Sequence, residues 1–327
     1  MRIKTIKYVM ALLVGLLMTA CSTDDGREDN RVQMPVHISI PIGDIGTTTR
    51  APGDPGTYEQ FKLPTHLWLY LVVTPEGETA MVEEVLTIDA IDEDMWTKEK
   101  LGSDSVYTYA GELSLQLPQT RYSTDVAEIY ALLSADDLTI NPTIAKGTST
   151  KEQLLNMTFN LPGSDPQKYG EMARNIYSSP HQETNYYGTV KNFEGDMPYV
   201  ENFVLYHVAA KLDVIWNVAE DKQADVKLSK MELLNLKKEN CYAFKPLGNT
   251  AVGDNSYSES VTLDEGQQWY GRHSFYVIPY GTEFLATLKL YKQGNNTGKE
   301  INLNQDYKSA IYTPWVVVPL QINNDIP

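Results

Sequence analysis

The chain has 327 residues, a formal charge of -16 from 27 Lys+Arg against 43 Asp+Glu, and 42% hydrophobic residues. That apolar share excludes general disorder and suffices for a core, and the length suits two domains. So acidic a chain lacks the Lys and Arg that neutralise phosphates, which argues against a nucleic-acid partner, and two cysteines cannot build a disulfide scaffold or a thiolate zinc site.

In chain order, the first segment reads as an address. Arg2, Lys4 and Lys7 precede an apolar run from Tyr8 to Met18. The run is too short to span a bilayer, which takes about 20 apolar residues, and has the form of a secretory signal over residues 1–20. It ends Met18-Thr19-Ala20-Cys21, which resembles a bacterial lipobox with Met18 where Leu is usual. The resemblance implies lipidation at Cys21; the plain alternative is a signal peptide with a chance cysteine. Residues 22–29 are polar and acidic and read as a solvated tether. Ser22 after the cysteine resembles outer-membrane sorting, and the acidic stretch resembles a surface-export signal; a simple soluble linker fits equally well.

A first strand follows. Val36, Ile38, Ile40 and Ile42 alternate onto one face, and Pro41 suits an edge position. The chain then enters a polar, Gly- and Thr-rich loop, residues 43–53, whose one basic residue is Arg50, followed by Ala51. Loops of small polar residues are where proteases cut.

The body reads as β throughout. His66 to Val73 and Ser274 to Pro279 are short apolar runs suited to buried strands. Tyr107, Tyr109, Leu113, Leu115 and Leu117 alternate, with Gly111 in the row, as do Phe284, Ala286, Leu288 and Leu290. From Phe203 to Val218 the even positions are apolar and His207, Lys211, Asp213 and Asn217 fall opposite, which predicts one long strand with one wet face. Two short helices are expected, one after the capping pattern Ser149-Thr150-Lys151-Glu152 and one opened by Asp165-Pro166. Near Gly195 to Pro198 a polar, aromatic region gives way to the longest strand. This predicts an all-β chain with one β-sandwich over residues 51–199 and a second over residues 200–327. The last segment, Trp315 to Ile322, again places four apolar residues, Val316, Val318, Leu320 and Ile322, on one face, with Pro319 between them.

Together these features resemble the fimbrillin family, the type V pilus subunits of Bacteroidota: a lipobox, an N-terminal strand, an arginine after a Thr-rich loop, two β-domains and an alternating C-terminal strand. Residues 205–212, Leu-Tyr-His-Val-Ala-Ala-Lys-Leu, resemble the family's strand that opens the second domain. The resemblance implies two tandem transthyretin-like β-sandwiches and export to the outer membrane as a lipoprotein. It implies cleavage after Arg50 by a trypsin-like protease, which makes Ala51 the new N-terminus. The strand carrying Val36, Ile38, Ile40 and Ile42 then leaves. A donor strand carrying Val316, Val318, Leu320 and Ile322 from the next subunit takes its groove, which places the chain in a fimbrium that supports adhesion to a host or bacterial surface ligand. An anchor or tip subunit of the same family keeps its first strand or lacks a usable donor. The bland reading makes both segments ordinary edge strands and Arg50 a surface residue.

Other chemistry finds no pattern. The histidines, His37, His66, His181, His207 and His273, form no metal-binding spacing, and there is no GxSxG elbow. Residues 294–300 fit a hairpin turn better than a phosphate loop, and Asp89, Asp92, Glu93 and Asp94 fit a solvated face better than a calcium loop. Cys241 reads as a small buried hydrophobe. No cofactor and no enzyme activity is expected. A second functional reading takes Tyr177, Tyr186, Tyr187, Phe193 and Tyr199 in a loop-rich stretch, and Trp269 with Tyr270, as platforms for sugar rings on a surface glycan-binding lipoprotein. Equally, Tyr and Trp are common strand residues.

Overall fold

The computed structural model describes residues 31–41, 62–101, 104–118, 126–179, 188–191, 199–200, 203–244, 256–278, 286–303, 315–323 and 326–327. The chain is all-β, with two α-helices among the described residues. Cys21, Ile42, Arg50 and Ala51 lie outside them.

The first strands are β1 (Arg31–Val36) and β2 (Ile38–Pro41), followed by β3 (His66–Thr74), β4 (Met81–Ile88), β5 (Trp96–Leu101), β6 (Asp104–Tyr109), β7 (Leu113–Pro118) and β8 (Val126–Ser134). Antiparallel β3 lies between β4 and β8. Its odd residues Leu67, Leu69, Leu71 and Val73 join one core, and its even residues Trp68, Tyr70 and Val72 join another. A strand buried on both faces needs a continuous apolar run, which residues 67–73 supply. The alternating row from Tyr107 to Leu117 proves to be two strands that turn at Ala110–Glu112. β6 pairs with β2 and β5, while β7 pairs with β1.

Next come β9 (Thr139–Asn141), α1 (Lys151–Leu155), β10 (Thr158–Asn160), α2 (Pro166–Arg174) and β11 (Ile176–Ser178). The capping box of α1 starts one residue later than its sequence pattern suggests: Thr150 caps and Gln153 reaches back. Asp165 caps α2, with Pro166 at its first turn. Then follow β12 (Gly188–Lys191), β13 (Tyr199–Val200), β14 (Phe203–Val204), β15 (Tyr206–His207) and β16 (Ala210–Val218).

The long strand expected from Phe203 to Val218 is therefore broken in three. β14 pairs in parallel with β2, β15 pairs with β11, and only β16 enters the sheet of the C-terminal half. The buried face changes on the way. Phe203 and Leu205 are buried at odd positions, whereas Leu212, Val214, Trp216 and Val218 are buried at even ones. The face predicted to be wet is also covered at Lys211 and Asp213, which are 1% and 0% exposed. Asp213 is held there by Arg272, whose guanidinium donates to it at 2.7 Å, and by the Ser274 hydroxyl.

The C-terminal half adds β17 (Leu228–Lys237), β18 (Cys241–Tyr242), β19 (Ser256–Thr262), β20 (Tyr270–Val277), β21 (Thr287–Lys292), β22 (Lys299–Asn302) and β23 (Trp315–Ile322). They form a β20-β16-β23 sheet and a β19-β17-β21-β22 sheet. Residues 293–298 turn the chain between β21 and β22, and Gly294 takes the left-handed conformation the turn needs. The halves are joined rather than strung apart. β10 pairs with β18, and the rings of Tyr70 and Tyr130 meet Phe244 edge-on at 5.9 and 5.5 Å.

Candidate functional site

The first and last strands define two sites. β1 and β2 run as one extended segment interrupted at His37, and they change sheets there. β1 pairs antiparallel with β7, and β2 sits between antiparallel β6 and parallel β14. Over Ile38 and Ser39 the segment is thus interior, not an edge as its proline suggested. Pro41 escapes the penalty because β14 reaches only Ile38 and Ser39.

Alternation decides what the segment buries. Met34, Val36, Ile38 and Ile40 are all within 2% of full burial, while Gln33, Pro35 and His37 are exposed. Their groove is walled by Leu67, Leu69 and Leu71 of β3, by Ile129 and Leu133 of β8, and by Phe203. The backbone N–H of Leu205 donates to the Ser39 carbonyl at 2.9 Å, and the Ser39 and Thr108 hydroxyls are hydrogen-bonded at 3.0 Å. Met34 and the Ser39–Thr108 pair were not singled out in the sequence, and Leu205 entered only as the first residue of the motif over residues 205–212. Met34 is two residues before Val36 in the same alternation, so its signal was present. Four such side chains contribute ~6–12 kcal/mol of burial at ~1.5–3 kcal/mol each. Removing the segment would strip Val106–Thr108, Leu113–Pro118 and Phe203–Val204 of the ladder partners it supplies, leaving Val106–Thr108 paired only with β5, beside an apolar trough.

The last strand occupies its own half. Among the described strands β23 lies at the edge of its sheet, parallel to β16, from Lys211↔Trp315 to Val218↔Ile322. Val318 and Ile322 are buried, and Leu320 packs against the same core. Pro319 is exposed, paired with Ile215, and the Ala219 N–H closes the ladder on the Ile322 carbonyl at 3.1 Å. An edge placement suits a strand with a proline in mid-run. Val316 pairs with Leu212 at the start of the same ladder.

Buried ionisable groups collect where α2 meets the C-terminal half. Burial pushes Glu259 up to about 7, against the opposing pull of Arg174. The Arg174 guanidinium lies 5.5 Å from the Tyr276 ring centre. Burial drives His207 down to about 4, although its Nδ1 donates to the Arg174 carbonyl at 2.8 Å. His207 is therefore a neutral packing residue against Tyr177, 4.4 Å away between ring centres. Cys241 is buried and its thiol is pushed up to about 12, so it is inert. Asp89, Asp92, Glu93 and Asp94 are exposed. No group of three or more metal-ligating side chains forms among the described residues.

Among the described residues, Tyr177, Trp269 and Tyr270 do not gather into a platform. Tyr177 is fully buried in β11 rather than lying in a loop. Trp269 donates its indole N–H to the Gln223 carbonyl at 2.9 Å, and Lys227 sits 5.6 Å from its ring centre. Tyr270 alone of that pair is open, at 65% exposure. Tyr186, Tyr187 and Phe193 lie outside the described residues.

No protein-family model matches the chain, and no curated protein matches it in sequence. Several solved structures resemble it distantly. A candidate cell adhesion protein from Parabacteroides distasonis shares 16% identity at a TM-score of 0.43, over 83% of this chain and 78% of that one. A candidate adhesin from Bacteroides ovatus shares 9% identity at a TM-score of 0.47, over 92% of this chain and 91% of that one. A candidate adhesin from Bacteroides thetaiotaomicron shares 10% identity at a TM-score of 0.40, over 89% of this chain and 94% of that one.

Proposed function

We propose that this chain is a structural subunit of a surface fimbrium that assembles by strand exchange. It travels to the outer membrane as a lipoprotein anchored at Cys21. A trypsin-like protease cuts after Arg50 and leaves Ala51 as the new N-terminus. The segment carrying Val36, Ile38, Ile40 and Ile42 departs. The strand carrying Val316, Val318, Leu320 and Ile322 from a neighbouring subunit fills the vacated groove. The chemistry is that of β-augmentation, in which main-chain hydrogen bonds supply affinity and alternate side chains supply specificity. A donor on one end and an acceptor on the other make a head-to-tail contact that does not close, so a filament grows.

One observation carries the reading. The first strand is built into the core of a half whose other described strands all follow Arg50 in sequence. A single cut after Arg50 separates the segment from every described strand it packs on. Among the described strands the C-terminal one lies at a sheet edge, where leaving breaks one ladder rather than two. The acidity of the chain keeps unpolymerised subunits apart until a strand finds its groove. The test is cleavage itself. Protein cut after Arg50 should form ladders of oligomers, and Arg50→Ala should stay monomeric under the same protease. Clean loss of residues 21–50 with the product still monomeric overturns the proposal.

A further inference from the structure

The first and last strands share more than alternation. Residues 32–38 read Val-Gln-Met-Pro-Val-His-Ile, and residues 316–322 read Val-Val-Val-Pro-Leu-Gln-Ile. Aligned on their prolines, the two segments agree in burial as well. Met34, Val36 and Ile38 are buried with Pro35 and His37 exposed between them. Val318 and Ile322 are buried and Leu320 half-buried, with Pro319 and Gln321 exposed between them.

We infer from this a specific register and direction for the incoming strand, resting on the strand-exchange reading above. In the groove of a second copy, Pro319 takes the place of Pro35, opposite Ser114. Val318 enters the Met34 pocket, Leu320 the Val36 pocket and Ile322 the Ile38 pocket. The groove already accepts a proline opposite Ser114, so Pro319 forfeits no hydrogen bond that the departing strand had made. Total side-chain volume over the three pockets is nearly conserved, as Met, Val and Ile give way to Val, Leu and Ile. The strand keeps the direction of β1 and so runs antiparallel to β7, whereas in its own half it runs parallel to β16. Antiparallel pairing is slightly the more stable per residue, which favours the transfer.

The same register places Asn324 at the Ile40 position, the one polar intruder among the buried sites. A donor that fills three pockets and puts an amide in the fourth fits less well than the chain's own strand, which fills all four. It therefore cannot displace an intact first strand, and assembly waits for the cut. A shift of two residues would put Val316, Val318, Leu320 and Ile322 into the four pockets, but would move Pro319 onto His37, where the chain changes sheets.

Cysteine cross-linking separates the two registers. Gln33 pairs with Gln116 and Pro35 with Ser114. The inferred register sets Val317 opposite Gln116, and the shifted one sets it opposite Ser114. Directly opposed antiparallel residues lie within disulfide reach. Full-length protein carrying Cys21→Ser, with either Gln116→Cys and Val317→Cys or Ser114→Cys and Val317→Cys, is compared for melting temperature, cut after Arg50 and oxidised. The three substituted positions are outside the buried core, so both variants should melt as the parent does. The inference expects a disulfide-linked ladder from the Gln116/Val317 pair alone. A ladder from the Ser114/Val317 pair, or polymers linked by neither, overturns the register while leaving strand exchange standing. The absence of polymers after cleavage overturns strand exchange and the register together.

Discussion

Truncating a residue of the first strand should matter before cleavage and cease to matter after it. Ile38 is 1% exposed, in the groove between β3, β8 and Phe203. Ile38→Ala removes that contact and leaves a cavity, a change that costs ~2–5 kcal/mol at buried aliphatic sites. For a folding unit of this size each kcal/mol moves Tm by about 2–4 °C, so the uncut variant should melt roughly 4–20 °C below the parent. Once residues 31–41 have been released and replaced by a donor, the altered residue is no longer in the structure. Parent and variant oligomers should then melt together. Val318→Ala is the counterpart: its side chain is fully buried in the chain's own half before exchange and enters a groove afterwards. It should destabilise both forms. The assay is thermal or urea unfolding of matched samples before and after the cut. If Ile38→Ala lowers the stability of the cleaved oligomer as much as that of the intact chain, the first strand stays in place and the exchange account is wrong.

Three further outcomes follow from particular residues. Asn324→Ile should favour exchange, because it supplies the missing apolar side chain at the Ile40 position; polymer yield and rate from cut protein read it, and no gain counts against the inferred register. Glu259 is neutral in the folded chain up to about pH 7 and ionises near its ordinary carboxylate value when unfolded. The stability it contributes is complete below that ordinary value and is lost as pH rises toward 7, so Glu259→Gln should flatten the pH–stability curve between about pH 4.5 and 7. His207 is held down to about 4, so its contribution is present above its ordinary value near 6.5 and is lost as pH falls toward 4. His207→Gln should remove that acid-side slope in the same melts.

The strands of the two sites were the most legible part of the fold. Residues 36–42 and 316–322 alternate cleanly, and alternation needs only one buried face to be visible. Residues 203–218 show where alternation misleads. Phe203, Val204, Leu205 and Tyr206 are all apolar, so the sequence does not say which of them face inward, and the chain can change sheets at Val208 without a polar marker. Lys211 and Asp213 read as solvent-facing because charge is usually wet. The Arg272 and Ser274 partners that make Asp213 tolerable come from a strand some sixty residues away in sequence, and no local pattern announces them. The same holds for the joining of the two halves. Nothing near Phe244 foretells its contact with Tyr70 and Tyr130, because long-range packing leaves no periodic trace. The interior place of β2 depends on β14, whose two residues, Phe203 and Val204, pair with Ile38 and Ser39 from about half a chain length away. The shared Val-x-x-Pro-x-x-Ile frame was present in the sequence throughout. It gained meaning only when both prolines proved exposed and the residues flanking them proved buried or packed against a core.

The most direct measurement is the N-terminal sequence of the subunits in polymer taken from the native membrane. The account predicts that these subunits begin at Ala51 and have lost the segment from Arg31 to Pro41. Polymer whose subunits still begin at a lipidated Cys21, with Met34, Val36, Ile38 and Ile40 in place, would contradict it.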